Sequence, residues 1–242
     1  MSNLHSFLQL SKPYPEPVCT SQEIRDRGSI FVANIFRATS EGEARKAVSH
    51  LRNVIHGQRR ATHEMFAWRC MVLKPGKIGL GGPDDFELRH GSEDDGEKYG
   101  GGRIAKVMQA EAVIDAVVVV SRWYGGEMLG PARFAHIETC AREVCHSFRV
   151  KDEIEERVST LKTLDDLLAS LRSELAALAT PRDTENAPAG SQKASSTKKV
   201  NYDDLMESLD LAKANRLVTA RENAIKSVKN SINKAKTQPS NE

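Results

Sequence analysis

The stretch VVVVSRWYGGEMLGPARFAHI (residues 117–137) decides how the chain is read. Its four valines follow Ala116 as a nearly continuous β-branched run, which suits a central strand covered on both faces. Arg122, Trp123 and Tyr124 come next, followed by Gly125, Gly126, Gly130 and Pro131. Proline is favoured at the first position of a helix, and Phe134, Ile137, Ala141, Val144 and Cys145 recur at helical spacing over residues 131–148. The junction therefore reads as strand, glycine turn and helix. A guanidinium and two aromatic faces beside glycines are ingredients of nucleic-acid stacking or of a protein hot spot. They equally suit an aromatic pair that caps the sheet edge and packs on the helix after Pro131.

Upstream, Pro13, Pro15 and Pro17 mark residues 1–20 as a flexible lead-in arm, with order beginning near Ser21. Residues 29–38 (SIFVANIFRA) are apolar on both alternating faces and predict a buried strand. Thr39 or Ser40 can cap a helix over residues 41–55, in which Ala44, Ala47, Val48, Leu51, Val54 and Ile55 form the apolar face. A second strand is expected at residues 63–73. Residues 74–102 hold nine glycines, two prolines and the acidic run EDDGE, which predicts loop throughout. A short helix over residues 102–112 then leads into the valine strand. The first 150 residues thus read as strands mixed with helices, an α+β or α/β domain.

Beyond residue 150 the composition turns helical. Ile154, Val158, Leu161, Leu168, Leu171, Leu175 and Leu178 approach heptad spacing over residues 151–179, with Asp165 interrupting the seam. This seam can make a homodimer or pack within one chain, so the oligomeric state stays open. Residues 180–200 are small and polar and predict a disordered linker. Residues 201–242 predict a basic helix, about 202–235, and a tail. From residue 211 to 236 there are seven basic side chains against Glu222 alone.

The 242 residues carry a formal charge of only +2, so no global field argues for nucleic acid or membrane. Any such claim must be local. The sharpest local candidate is Lys213, Arg216, Arg221, Lys226 and Lys229, as contacts to RNA phosphates or as the solvated face of a helix. No apolar run approaches the ~18 residues of a membrane span, and no charged, then apolar, leader is evident. Cys19, Cys70, Cys140 and Cys145 lack metal-ligand spacing, which fits a reducing compartment and a cytoplasmic location.

Catalytic signals are weak. His63-Glu64 lacks the second histidine of a zinc-protease helix, and no Cys/His set has tetrahedral-site spacing, so no metal is expected. Ser121 stands outside a nucleophile elbow and reads as a buried strand-end hydroxyl. The runs at residues 79–82 and 100–102 lack the phosphate-loop lysine and the dinucleotide spacing, so turns are favoured over phosphate binding and no cofactor is expected. Asp94, Asp95 and Glu97 can bind a divalent ion, tune a proton-transfer pair, or simply form an acidic loop favouring the next helix N-terminus.

RWYGGEMLGPARFAHI, with EDDGE at residues 93–97, ATHEMFAWR at 61–69 and GSIFVA at 28–33, resembles the Impact family domain, which is related to bacterial YigZ-type proteins. The resemblance covers about residues 20–150. It implies a ribosomal protein S5 domain 2-like fold, a four-stranded sheet with helices on one face, plus a helical extension. It also implies regulation of translation without catalysis, by competition for the activator of a starvation-responsive initiation-factor-2 kinase. A protein partner from that machinery is expected, with RNA or the ribosome as the alternative. The matching segment starts near the beginning of the sequence, so no RWD domain is expected ahead of it, and binding by that domain does not carry over. On this reading Arg122, Trp123 and Tyr124 anchor the partner, Gly125, Gly126 and Gly130 shape the surface, and Asp94, Asp95 and Glu97 form the family-motif loop.

Overall fold

In the computed structural model, which describes residues 14–179 and 201–237, the valine run lies inside an antiparallel sheet. Its strands are β1 (Cys19–Thr20), β2 (Ile24–Asp26), β3 (Ser29–Arg37), β4 (His63–Leu73), β5 (Phe86–Glu93) and β6 (Ala116–Trp123). The order is β1-β3-β6-β4-β5, with β2 also paired to β3. The strand latest in sequence is therefore flanked on both sides, and Val117, Val118, Val119 and Val120 are all fully buried. Among the described residues there are five α-helices, α1 (Glu41–His50), α2 (Gly100–Ala110), α3 (Ala132–Ala179), α4 (Asp203–Ser208) and α5 (Leu211–Thr237).

Strand alternation divides the core into two layers. Val118 and Val120, with Phe31, Ile35 and Met65, pack against Ile104 and Met108 of α2 and Ile137, Ala141 and Val144 of α3. Val117 and Val119, with Phe36, Phe66 and Trp68, pack against Ala44, Ala47 and Val48 of α1. Helices thus cover both faces, as the unbroken valine run predicts. This corrects the one-face, two-layer arrangement that the family resemblance implies.

The expected four strands are six among the described residues. Strands β1 and β2 are two and three residues long, too short to show a period. A two-residue turn at Arg27 and Gly28, both with positive φ (44° and 74°), joins β2 to β3 in the manner of a type I′ hairpin. Strand β5 overturns the all-loop reading of residues 74–102. Its residues are half-buried or exposed throughout, so no apolar alternation marks it. Its Gly91 lies opposite Trp68, whose indole occupies the space a Cβ would need, with Nε1 2.8 Å from that position.

Helix α1 starts with a reciprocal cap. Ser40 Oγ accepts from the Glu43 N–H at 3.3 Å, and the Glu43 carboxylate accepts from the Thr39 N–H at 3.0 Å. A π-helical turn, Leu51–Ile55, follows it. The wider turn rotates Val54 and Ile55 off the apolar face, leaving them 61% and 44% exposed instead of buried. The helices expected at residues 131–148 and 151–179 are one helix, since neither glycine nor proline separates them. The helix expected at 202–235 is two. Leu209 takes a left-handed conformation (φ 51°), and Asp210 Oδ1 accepts from the Lys213 N–H at 2.8 Å, restarting the helix as α5.

The chain divides into two compact units, Met1–Arg149 and Val150–Glu242. In the second, Ile154, Val158 and Leu161 pack with Tyr202, Leu205 and Ala214. Arg157 donates to Asn215 at 2.9 Å, Arg221 to Asp165 at 2.5 Å and Lys236 to Glu174 at 2.8 Å. The paired numbers rise together, so α5 runs parallel to the second part of α3. The first part of the heptad-like seam, Ile154, Val158 and Leu161, packs within the same chain, while Leu178 at its far end is 43% exposed. Residues 180–200, read as a linker, lie outside the described residues.

Candidate functional site

The end of β6 sends its motif residues to opposite sides of the sheet, because successive side chains alternate. Arg122 shares the Val118–Val120 face and is only 5% exposed. It forms a buried ion pair with Glu97, whose other oxygen lies 2.6 Å from Arg133 Nε. That second contact is ionic and not a directed hydrogen bond, since Arg133 Nε has no hydrogen-bond partner of acceptable geometry. The Arg122 guanidinium lies 5.3 Å from the Phe31 ring centroid and 5.4 Å from that of Tyr124. Such a cluster is costly to break. Removing one member of a buried pair leaves its partner uncompensated, a loss of about 3–5 kcal/mol.

The three carboxylates of the acidic loop point to three different places. Asp94 accepts from the Tyr99 and Gly101 N–H groups, both at 2.9 Å, and so holds the N-terminus of α2. Asp95 accepts from the Glu64 N–H of β4 at 2.7 Å and pairs with Arg52 at 3.1 Å. Glu97 turns inward to Arg122 and Arg133. Among the described residues no three His, Cys, Asp or Glu side chains gather as a set able to hold a metal ion.

Sequence reading missed Glu64, which is 2% exposed. Its two oxygens meet Arg52 Nε and His56 Nδ1, each at 2.8 Å. Burial pushes its pKa up, but the hydrogen bonds from His56 and Arg52 outweigh it and hold the carboxyl below its ordinary range. His56 in turn meets the Trp123 ring edge-on, with centroids 5.0 Å apart. A carboxylate in a largely apolar strand is the signal that could have found this chain, since a buried charge needs a partner.

Trp123 and Tyr124 reach the surface. The Trp123 indole N–H donates to the Arg59 carbonyl at 3.1 Å, and the Arg59 guanidinium lies 5.5 Å from the indole. Tyr124 is 43% exposed, and its N–H donates to Thr62 Oγ1 at 3.0 Å. Met128, on the following loop, is 79% exposed. The glycines do different work. A Cβ on Gly125 would collide with the backbone of Gly28 and Ser29. Gly126 and Gly130 have open space but positive φ, 89° and 57°.

Other expected groups are placed as follows. Ser121 is fully buried and makes no hydrogen bond among the described residues, so nothing there draws off its proton. Burial pushes the Cys70 and Cys140 thiols up to about 11 and Cys145 up to about 12, far from the thiolate range of a nucleophile. Lys213, Arg216, Lys226 and Lys229 are exposed on α5, whereas Arg221 turns to Asp165. Among the described residues no helix is long and apolar enough to cross a membrane.

Sheet and site together define an α+β domain in which an Arg-Glu-Arg cluster is buried beside Tyr124 and a Glu64–His56 pair lies beside Trp123. Residues 27–145 match the Impact N-terminal domain, and the chain carries a domain of the Impact family. Protein IMPACT of Rattus norvegicus is 34% identical over 145 residues, spanning 57% of this chain and 41% of the relative. The Protein IMPACT homolog of Saccharomyces cerevisiae is 37% identical over 123 residues, spanning 51% and 43%. A solved structure of the two-domain translational regulator Yih1 is 32% identical and covers 56% of this chain and 50% of that one, at a TM-score of 0.34, too low to bear on the fold. The chain thus spans about two fifths of the length of the curated relatives it matches.

Proposed function

We propose that this chain is a non-enzymatic, cytoplasmic interaction protein that regulates translation through its Impact-family domain, with Trp123 and Tyr124 as the contact surface. The observation that carries this is the division of labour in the motif. Ionic and polar groups are spent on holding the turn, while the Tyr124 ring is left exposed and the Trp123 ring half-buried at the end of β6, and aromatic residues of this kind dominate binding energy. The relatives named IMPACT and the translational regulator Yih1 support the translational role. The finer reading, supported by the same family, is restraint of the starvation-responsive initiation-factor-2 kinase pathway. Arg122 is a positioning residue in this reading, because it faces inward.

Affinity capture from cell extract tests the surface. Trp123→Ala with Tyr124→Ala is expected to lose a translation-associated partner while the circular dichroism spectrum is retained. Retention of every partner by the folded double variant would sink the assignment. Arg122→Ala is a poor substitute, since its buried partner would cost about 3–5 kcal/mol of stability and confuse the readout.

A second reading is RNA binding by α5, favoured by the exposure of Lys213, Arg216, Lys226 and Lys229. It requires binding to weaken steeply with salt and to vanish when these four are replaced by Gln, with Arg221→Gln having a separate, structural effect.

A further inference from the structure

Strand β5 ends the sheet, and among the described residues no strand pairs its outer side. Two hydrogen bonds give the direction of its backbone groups. The Lys74 N–H donates to the Asp85 carbonyl at 2.8 Å, across β4 and β5. The Met71 N–H points the other way, to Asp115 Oδ1 at 2.8 Å, so the Met71–Leu88 pair is not hydrogen-bonded between the two strands. By alternation, Phe86, Leu88 and His90 present their N–H and C=O groups to the free edge.

The side chains on that edge are self-complementary. Phe86 and Leu88 share a face with Leu73 and Met71, their cross-strand partners. All four are 38–42% exposed, an apolar patch on a strand edge that native proteins normally blunt. On the opposite face stand Glu87 and Arg89, joined at 2.8 Å by an exposed contact that leaves the strand with no net repulsive charge there.

We propose that a second copy of this chain docks on β5, antiparallel, about a twofold axis through Leu88, joining the two sheets edge to edge. In this register Leu88 faces Leu88 of the second copy through a reciprocal pair of backbone hydrogen bonds. Glu87 faces Arg89 of the second copy and Arg89 faces its Glu87, so opposite charges meet twice. Centring the axis one residue either way would set Glu87 against itself or Arg89 against itself, which is repulsive. The outward amides of Phe86, Leu88 and His90 supply the backbone bonds, and the Glu87 and Arg89 charges select the register. The proposal does not depend on the role given to Trp123 and Tyr124.

The full-length protein, followed by sedimentation over a concentration series, is expected to pass from one chain to two. Arg89→Glu alone should weaken the dimer about tenfold or more, because two like-charge contacts replace two attractive ones. The swap Glu87→Arg with Arg89→Glu should restore it. Leu88→Cys should form a disulfide-linked dimer under mild oxidation faster than Glu87→Cys or Arg89→Cys, since Cα atoms in a hydrogen-bonded antiparallel pair lie ~5.5 Å apart, within disulfide reach. A single-chain mass at every concentration overturns the proposal. So does a dimer that Arg89→Glu leaves unchanged, or one that the charge swap fails to recover in a variant with a native circular dichroism spectrum.

Discussion

Glu64 shows at the scale of one residue how a buried charge reaches the surface. Its carboxylate holds Arg52 and His56, and His56 meets the Trp123 ring. Glu64→Gln keeps the shape but removes the charge, and is expected to cost about 1–3 kcal/mol near neutral pH. The folded pKa lies below the ordinary value of 4.5, so ionised Glu64 stabilises the fold above that value and loses its contribution as pH falls through the folded pKa. Urea melts of wild type and Glu64→Gln should therefore differ at pH 7 and converge as the pH drops well below 4.5. A gap that persists undiminished in acid would show that shape, and not charge, is what the site needs. Nothing in local sequence shows these partners, since residues 52, 56, 64 and 123 meet only in the folded sheet.

Among elements, the turn between β6 and α3 separates two uses of glycine. Gly125 touches the Gly28–Ser29 backbone at the β2–β3 turn, so even a methyl group must push two backbones apart. Gly126 has space and needs only its left-handed φ. Gly125→Ala is expected to lower stability by about 2–3 kcal/mol, or to prevent folding, through overpacking. Gly126→Ala should cost about 1 kcal/mol from conformational strain alone. Thermal denaturation of the two variants checks the ranking, and equal effects would contradict the close approach. The glycines were legible in the sequence as a turn. Which of them is sterically required was not, because the obstructing backbone lies about a hundred residues away in the chain.

For the whole molecule, each of the two units has its own source of stability. In the first, two apolar layers enclose strands β3, β4 and β6 from both sides. In the second, one smaller cluster joins α3 to α4 and α5, and much of α5 is solvent-exposed. Amide hydrogen exchange is expected to be slowest in β6 and several orders of magnitude faster in α5, whose opening exposes far less apolar surface. Equal protection across both elements would mean that the units unfold as one.

By itself the sequence determined the central strand, the helical periods, the change of character near residue 150 and the motif's membership of a family. Those features repeat over a few residues and follow from side-chain size and polarity alone. Tertiary structure decided the rest: helices on both faces, a strand at β5 without apolar alternation, and the inward turn of Arg122 beside the outward aromatics. It also decided that the first part of the heptad seam packs against α4 and α5, and that Asp94, Asp95 and Glu97 serve three different partners. Each of these depends on which distant groups share a buried volume, where an unpaired charge is costly and two backbones compete for the same space.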